Sequence, residues 1–312
     1  MKIVVPDDYP LLLTGTPAER RLRTLGDVTI YTERGANEEA ELIRRIADAD
    51  VVVSLRAYSR FKQRVLDASP SLRMISIWGT GTDNVDLDTC RARGVLVTNT
   101  PGVNANSVAE QTLALMLAVA RQIPAMDRGT RDGKWPRAML VQLEGKTLGV
   151  VGLGAIGSRV AMLAKAFGMN VLATAWRGDD GRAAAIGARF VDLETLLRES
   201  DFVSLHLRLN DETRGLVSRE RLALMKPSAF LVNTARGGLV DRDALVDALE
   251  NKRIAGAGLD VFHEEPVRSD DRLLTLVNVV LTPHNAGTTE EVIALGLART
   301  IENVERFLAH PS

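Results

Sequence analysis

A six-residue run in the middle of the chain, Gly152-Leu153-Gly154-Ala155-Ile156-Gly157, limits the fold more than any other feature. A β-rich segment, Thr147–Val151, leads into it, and a helical pattern, Ser158–Phe167, leads out. In that setting the first glycine makes a tight turn and the second admits a pyrophosphate close to the backbone. The third lets the helix pack on its strand, and the helix N-terminus faces the phosphate charge. The glycine pattern alone is weak; strand before and helix after make it a dinucleotide fingerprint. A nucleotide-binding domain starting near residue 145 leaves a whole domain's worth of chain in front of it.

The length of 312 residues suits two domains, and 46% hydrophobic with 25% charged residues is a globular composition. A formal net charge of −1 provides no bulk field to draw in nucleic acid or a membrane surface, so neither is an expected partner. The single cysteine, Cys90, rules out an intrachain disulfide and suits a reducing cytosol. It reads as a small, half-buried residue rather than a nucleophile. The N-terminal run Met1–Asp8 is too short in apolar residues for a signal peptide and reads as a first strand. Leu113–Ala120 falls far short of a membrane span, and a cytoplasmic location is expected.

Up to residue 98, β-rich runs at Lys2–Val5, Val28–Tyr31, Val51–Leu55, Met74–Ile77 and Val95–Val97 alternate with helical patterns. The helices are predicted at Pro17–Leu25, Glu38–Ala47, Phe61–Ala68 and Asp86–Arg93, the first opened by a Thr16…Glu19 capping box around Pro17. The alternation predicts a parallel sheet with helices on both faces. An apolar helix, Ala105–Ile123, and a charged loop, Asp127–Arg137, follow. From Lys146 the rhythm repeats, with strands at Thr147–Val151, Asn170–Thr174, Phe202–Leu205, Phe230–Asn233, Ile254–Asp260 and Val279–Leu281. Its helices fall at Ala155–Phe167, Leu193–Glu199, Arg219–Leu224 and Arg242–Asn251. A last helix, Thr289–Ala309, opens with a Thr288…Glu291 capping box and is expected to return to the first domain. Residues 1–98 plus 288–312 then form one discontinuous domain, and 99–287 the other.

Ligands of parallel α/β sheets bind at the carboxyl ends of the strands. Three such ends carry Thr234-Ala235-Arg236-Gly237-Gly238, Val261-Phe262-His263-Glu264-Glu265-Pro266 and Thr282-Pro283-His284-Asn285-Ala286-Gly287-Thr288. Singly, each has a bland explanation: a solvated arginine, a turn, a loop histidine. Together and in order beside a nucleotide they outweigh it. With Gly79-Thr80-Gly81-Thr82-Asp83-Asn84-Val85-Asp86, Asn99-Thr100-Pro101-Gly102-Val103-Asn104, Ser107-Val108-Ala109-Glu110, Val203-Ser204-Leu205-His206 and Met225-Lys226-Pro227, the chain resembles the D-isomer-specific 2-hydroxyacid dehydrogenase family over most of its length.

The resemblance implies two doubly wound parallel-sheet α/β domains, a flavodoxin-like substrate domain and a Rossmann cofactor domain, with a cleft between them. It implies Arg236, Glu265 and His284 as the catalytic residues, the family spacing choosing Glu265 over Glu264. It also implies a small 2-keto or 2-hydroxy acid substrate, an NAD(P) cofactor and a homodimer. Cofactor contacts are expected at Gly152, Gly154, Ala155, Ile156, Gly157, Arg177, His206, Thr213, Thr234, Ala235, Asp260 and Gly287. Substrate contacts are expected at Gly79, Thr80, Gly81 and Arg56, with Tyr58 in the same loop as Arg56. Trp78 and Trp135 are candidates for pocket walls or subunit contacts, and His263 and His310 read as surface residues.

Histidine titrates near neutrality and exchanges the hydroxyl proton; a carboxylate on its other nitrogen fixes the tautomer and favours imidazolium. Arginine offers a planar fork to the substrate carboxylate or carbonyl. One position departs from the family pattern. An NAD-binding unit normally carries Asp or Glu at the end of its second strand, but Ala175 stands there, 23 residues beyond Gly152. Arg177 follows and suits a 2′-phosphate, so the reading leans to NADP over NAD, with Asp179 and Asp180 as displaced acidic alternatives. Two other functions fit the scaffold: hydride abstraction from formate or phosphite, and a nucleotide-sensing corepressor. Glu265 stands where formate enzymes carry glutamine. The expectation is of an enzyme without the C-terminal regulatory domain of longer family members.

Overall fold

The computed structural model describes residues 1–175 and 181–310. They fall into two compact units, Met1–Asn104 with Thr288–Ser312, and Ala105–Gly287. The boundary expected after residue 98 lies after Asn104 in the structure, so residues 99–104 belong to the first unit. Thr100 N–H donates to Gly79 O at 2.9 Å and Asn99 Nδ2 to Thr80 O at 2.7 Å, which holds this stretch to the turn at Gly79.

The first unit is built on strands β1 (Lys2–Val5), β2 (Asp27–Ile30), β3 (Val51–Ser54), β4 (Met74–Ile77) and β5 (Leu96–Thr98). They pair in the order β2-β1-β3-β4-β5, all parallel, with Ile3 in register with both Val28 and Val51. β3 and β4 are buried along their whole length, which is why they read as near-continuous apolar runs. The helix Glu290–Ala309 returns to one face, where Leu297, Ile301 and Phe307 join Ile3, Val5 and Val53 in a core, and Ser76 Oγ donates to Thr300 O at 3.0 Å. Its N-cap is Thr289, whose Oγ1 accepts Val292 N–H at 3.3 Å, one residue beyond the expected Thr288. The Thr16 cap is present, but Glu19 Oε2 closes it on Gly15 N–H at 2.7 Å rather than on the cap residue itself.

The second unit contains β6 (Thr147–Val151), β7 (Asn170–Thr174), β8 (Arg189–Phe190), β9 (Phe202–Leu205), β10 (Phe230–Asn233), β11 (Gly256–Leu259) and β12 (Val279–Leu281). The order β12-β11-β10-β9-β6-β7-β8, all parallel, reverses direction between β6 and β9, the place where a doubly wound sheet binds its ligand. β8, two residues at the sheet edge, is too short to carry a periodic signal. Helices Ala105–Ala120 and Ala155–Ala166 cover one face through Leu113, Met116, Val160 and Ala164; Leu193–Glu199 and Arg242–Glu250 cover the other. Phe202 and Phe230 stack at 5.1 Å between ring centroids on neighbouring strands, worth about 0.5–1.5 kcal/mol beyond their burial.

The expected helix Ala105–Ile123 stops at Ala120, and the first part of the expected loop, Asp127–Arg131, belongs instead to a second helix, Ile123–Arg131. Gln122 breaks the first with a φ of +49°, and Pro124 sits in the first turn of the second. No side chain of this second helix is buried, so hydrophobic periodicity could not reveal it; an Asp127–Arg131 pair at 2.9 Å supports it instead.

Candidate active site

Each strand end presents its side chain through a turn tied by a buried polar residue. At the end of β10, buried Asn233 accepts Ala235 N–H at 3.0 Å and donates to Arg236 O at 2.9 Å. This closes the turn that presents Arg236, whose NH1 donates to Ala235 O at 2.8 Å. Behind it, a Cβ on Gly237 would lie 2.1 Å from the Phe262 carbonyl carbon, so the turns after β10 and β11 touch backbone to backbone.

Asp260, fully buried just after β11, accepts the Thr282 hydroxyl at 2.5 Å, Asn285 N–H at 3.1 Å and Ala286 N–H at 3.0 Å. Its carboxylate therefore grips both sides of His284, which adopts a left-handed φ of +53° between them. Ser107 Oγ holds the same loop from the helix Ala105–Ala120, donating to Ala286 O at 2.6 Å. His284 Nδ1 lies 2.6 Å from Glu265 Oε2, and Glu265 Oε1 accepts Phe262 N–H at 3.0 Å. Burial alone would raise the Glu265 carboxyl. The His284 hydrogen bond and charge, with the Phe262 N–H and the more distant Arg236, outweigh it and hold the group below the usual carboxylate value. With Nδ1 committed to a carboxylate, Nε2 is the atom available for proton exchange.

The fingerprint turn follows β6. Gly152 has a φ of +104°, and a Cβ there would lie 2.8 Å from His206 O across the β6/β9 switch point. A Cβ on Gly157 would collide with Gly152 O at 1.9 Å. Gly154, the N-cap of the helix opened by Ala155 and Ile156, has an ordinary φ of −77° and nothing within 4 Å of a Cβ position. Among the described residues neither strain nor crowding calls for glycine there, and the open space fits the close approach of a dinucleotide pyrophosphate. His206 Nε2 pairs with Ser204 Oγ at 2.8 Å, and burial pushes its imidazole down to about 3, so it is neutral and no proton donor at physiological pH.

Other expected cofactor contacts face inward. Thr234 Oγ1 pairs with Thr112 Oγ1 at 2.8 Å in the core, and Thr213 Oγ1 donates to Arg208 O at 2.7 Å within its own loop. Gly287 is half-buried in the His284 loop, and Arg177 lies outside the described residues.

In the first unit, Gly79 turns at a φ of +129° after β4 and donates its N–H to Thr100 Oγ1 at 2.8 Å. Thr80 Oγ1 donates to Asn104 Oδ1 at 3.4 Å, and Gly81 follows, partly exposed. Arg56 NH2 donates to Pro10 O, while Tyr58 OH donates to Asp7 Oδ1 at 2.9 Å. Burial first, then the Asp7 carboxylate, push the Tyr58 phenol above its ordinary range. Trp78 packs on the helix Glu290–Ala309, where a Cβ on Gly296 would meet its Nε1 at 2.3 Å, so it is a packing residue of that unit. Trp135 is 71% exposed.

The model of the D-isomer specific 2-hydroxyacid dehydrogenase NAD binding domain matches residues 113–286. A glyoxylate reductase of Korarchaeum cryptofilum is 41% identical over 287 residues, covering 90% of this chain and 86% of that protein. The chain belongs to the D-isomer-specific 2-hydroxyacid dehydrogenase family. A D-3-phosphoglycerate dehydrogenase of Methanocaldococcus jannaschii is 41% identical over 290 residues, but this chain spans only 54% of it. The crystal structure of TT0316 protein from Thermus thermophilus superposes with a TM-score of 0.90 at 38% identity, covering 99% of this chain and 97% of that one.

As a family member the protein is an NAD(P)-dependent oxidoreductase acting on CH–OH groups. Cys90 is buried, and burial pushes its thiol up to about 11, which removes it from nucleophilic chemistry at neutral pH. Among the described residues no cluster of His, Cys, Asp or Glu could hold a metal ion, and no helix is long and apolar enough to cross a membrane. His263 and His310 are exposed, although His263 Nε2 also reaches Val240 O at 2.7 Å. Sequence reasoning assigns no role to Asn233, or to Ser107 within its Ser107–Glu110 motif, because both act through hydrogen bonds to turns.

Proposed function

We propose that the protein reduces small 2-keto acids to D-2-hydroxy acids, with His284 as acid–base, Glu265 as its carboxylate partner and Arg236 as the substrate fork. The observation that carries this reading is the 2.6 Å His284–Glu265 contact, set on the turn that packs against the one bearing Arg236. The dinucleotide is held by Gly152, Gly154 and the first-turn N–H groups of the helix Ala155–Ala166; when bound, it supplies or receives the hydride. In reduction the Nε2 proton of protonated His284 passes to the carbonyl oxygen, and Glu265 stabilises the imidazolium that precedes this step. Arg236 pairs with the substrate carboxylate and polarises the carbonyl. Gly79–Gly81 and Arg56 are assigned to the substrate as well. NADPH is the preferred cofactor, because Ala175, the residue that follows β7, offers no carboxylate to hold a free ribose 2′-hydroxyl. The working form is a homodimer.

The test is cofactor oxidation against glyoxylate, hydroxypyruvate, pyruvate and bulkier keto acids. Replacing His284 or Arg236 by Ala is expected to lower kcat/KM by about 10³-fold or more with the fold intact. Near-wild-type turnover in either variant overturns the assignment.

A further inference from the structure

The loops that follow β1 and β3 meet at the carboxyl edge of the first unit's sheet, where those two strands are neighbours. Two adjacent buried carboxylates lock the first of these loops. Asp8 accepts the N–H groups of Leu12, Leu13 and Thr14 at 2.7, 3.0 and 2.9 Å, and the Thr14 hydroxyl at 2.7 Å. Asp7 Oδ2 accepts Gly35 N–H at 3.0 Å and Ala36 N–H at 3.2 Å, while its Oδ1 accepts Tyr9 N–H at 3.1 Å and the Tyr58 hydroxyl at 2.9 Å. The second loop has no such lock of its own. Among the described residues the backbone of Arg56–Tyr58 bonds to no other segment and closes only locally, Ser59 N–H donating to Arg56 O at 3.3 Å. Two side chains tie it down instead, and both reach the first loop: Arg56 NH2 donates to Pro10 O, and Tyr58 OH to Asp7. The Arg34 guanidinium lies over the Tyr58 ring, 5.0 Å from its centroid.

We propose that Tyr58 is a positioning residue, whose hydrogen bond to Asp7 fixes the loop that presents Arg56 to the substrate. The proposal rests on the assignment of Arg56 made above and names what holds that side chain in place. Tyr58 spends its hydroxyl on the first loop, which distinguishes it from a residue that touches substrate itself. A hydrogen bond to a carboxylate is roughly twice as strong as one between neutral groups. Burial and Asp7 push the phenol above its ordinary range, so it stays a donor at neutral pH. An arginine held in place before the ligand arrives loses less side-chain freedom on binding. The pair therefore acts on substrate affinity and not on the proton or hydride step.

The experiment is steady-state kinetics of wild type, Tyr58→Phe, Arg56→Ala and the double variant, with glyoxylate and hydroxypyruvate as probes at saturating dinucleotide and thermal melting to check the fold. Tyr58→Phe keeps the ring and its contact with Arg34 and removes one hydroxyl. It is expected to raise KM for the keto acid about tenfold, the scale of one charge-assisted hydrogen bond. kcat should stay within about threefold of wild type, and KM for the dinucleotide should not move. Added to Arg56→Ala, the same substitution should raise KM by less than about twofold, because no guanidinium remains to be positioned. Full additivity in the double variant would make Tyr58 act independently of Arg56 and overturn the proposal. A dinucleotide KM that rises in step with the keto-acid KM would overturn it too, as the mark of a general loosening. An unmoved keto-acid KM in Tyr58→Phe beside a raised one in Arg56→Ala would overturn it while leaving the Arg56 assignment intact. An unmoved KM in Arg56→Ala would sink that assignment itself, and the proposal with it.

Discussion

Glu265 is held by opposing effects, and its charge state governs the histidine. Burial favours the neutral acid, while His284, the Phe262 N–H and Arg236 favour the carboxylate and win. Glu265→Gln leaves a hydrogen-bond acceptor for His284 Nδ1 but removes the negative charge, so kcat/KM for keto-acid reduction should fall by about 10²-fold or more with the melting temperature little changed. Turnover near wild type would mean that the ring needs only an acceptor there and not a carboxylate. The depressed carboxyl also adds stability above its unfolded pKa, which is lost as pH falls through the folded one. With its side chain 37% exposed, solvent screens most of that effect. Asp260 is a different case, since it is fully buried and accepts three hydrogen bonds from the His284 loop. Asp260→Asn keeps the shape but loses an acceptor, so thermal and urea unfolding should show a loss of about 1–3 kcal/mol, with kcat falling alongside. An unchanged stability would mean that the loop holds itself. Arg236, Glu265 and His284 stand out in the sequence because strand ends are where such chemistry collects and the family spacing chooses Glu265, and the His284–Glu265 contact at 2.6 Å agrees with that pairing. Thr213 and Thr234 were harder, because a sequence does not say whether a hydroxyl turns to a ligand or to its own loop.

At the scale of the fingerprint element, the three glycines separate by physical cause. Gly157 answers to packing, since its Cβ would overlap Gly152 O at 1.9 Å. Gly154 answers to nothing among the described residues. Gly154→Ala is therefore expected to melt within a few degrees of wild type yet bind dinucleotide about tenfold or more weakly, because the methyl occupies the approach path. Gly157→Ala should lower the melting temperature markedly, as overpacking of this severity costs about 1–3 kcal/mol or more. If both variants melted alike and bound alike, Gly154 would have no ligand-facing role. The fingerprint could be read from sequence because strand, turn and helix carry separate signals. The helix Ile123–Arg131 could not, because it buries no side chain and periodicity records burial. Pro124 was its only local mark.

Across the whole molecule, parallel sheets with helices on both faces followed from the βα alternation, and their doubly wound architecture from the family resemblance. The turn-level placement of residues 99–104 did not, because it depends on bonds to Gly79 and Thr80 that no local pattern announces. The surface poses a further question. Ile123, Trp135, Met139 and Leu140 are all exposed within one stretch, Met139 at 96% and Trp135 at 71%, beside a helix with no buried side chain. Apolar groups clustered this way favour removal from water, and a second copy of the chain supplies a surface of the same kind. Light scattering should therefore return a mass near twice 33.9 kDa for wild type. The double substitution Trp135→Asp with Met139→Asp places charges where desolvation would be costly, and should shift the protein toward the monomer mass without changing its circular dichroism. A wild-type species at the monomer mass across the micromolar range would leave this apolar stretch without a self-association role, and the homodimer assignment would fall with it.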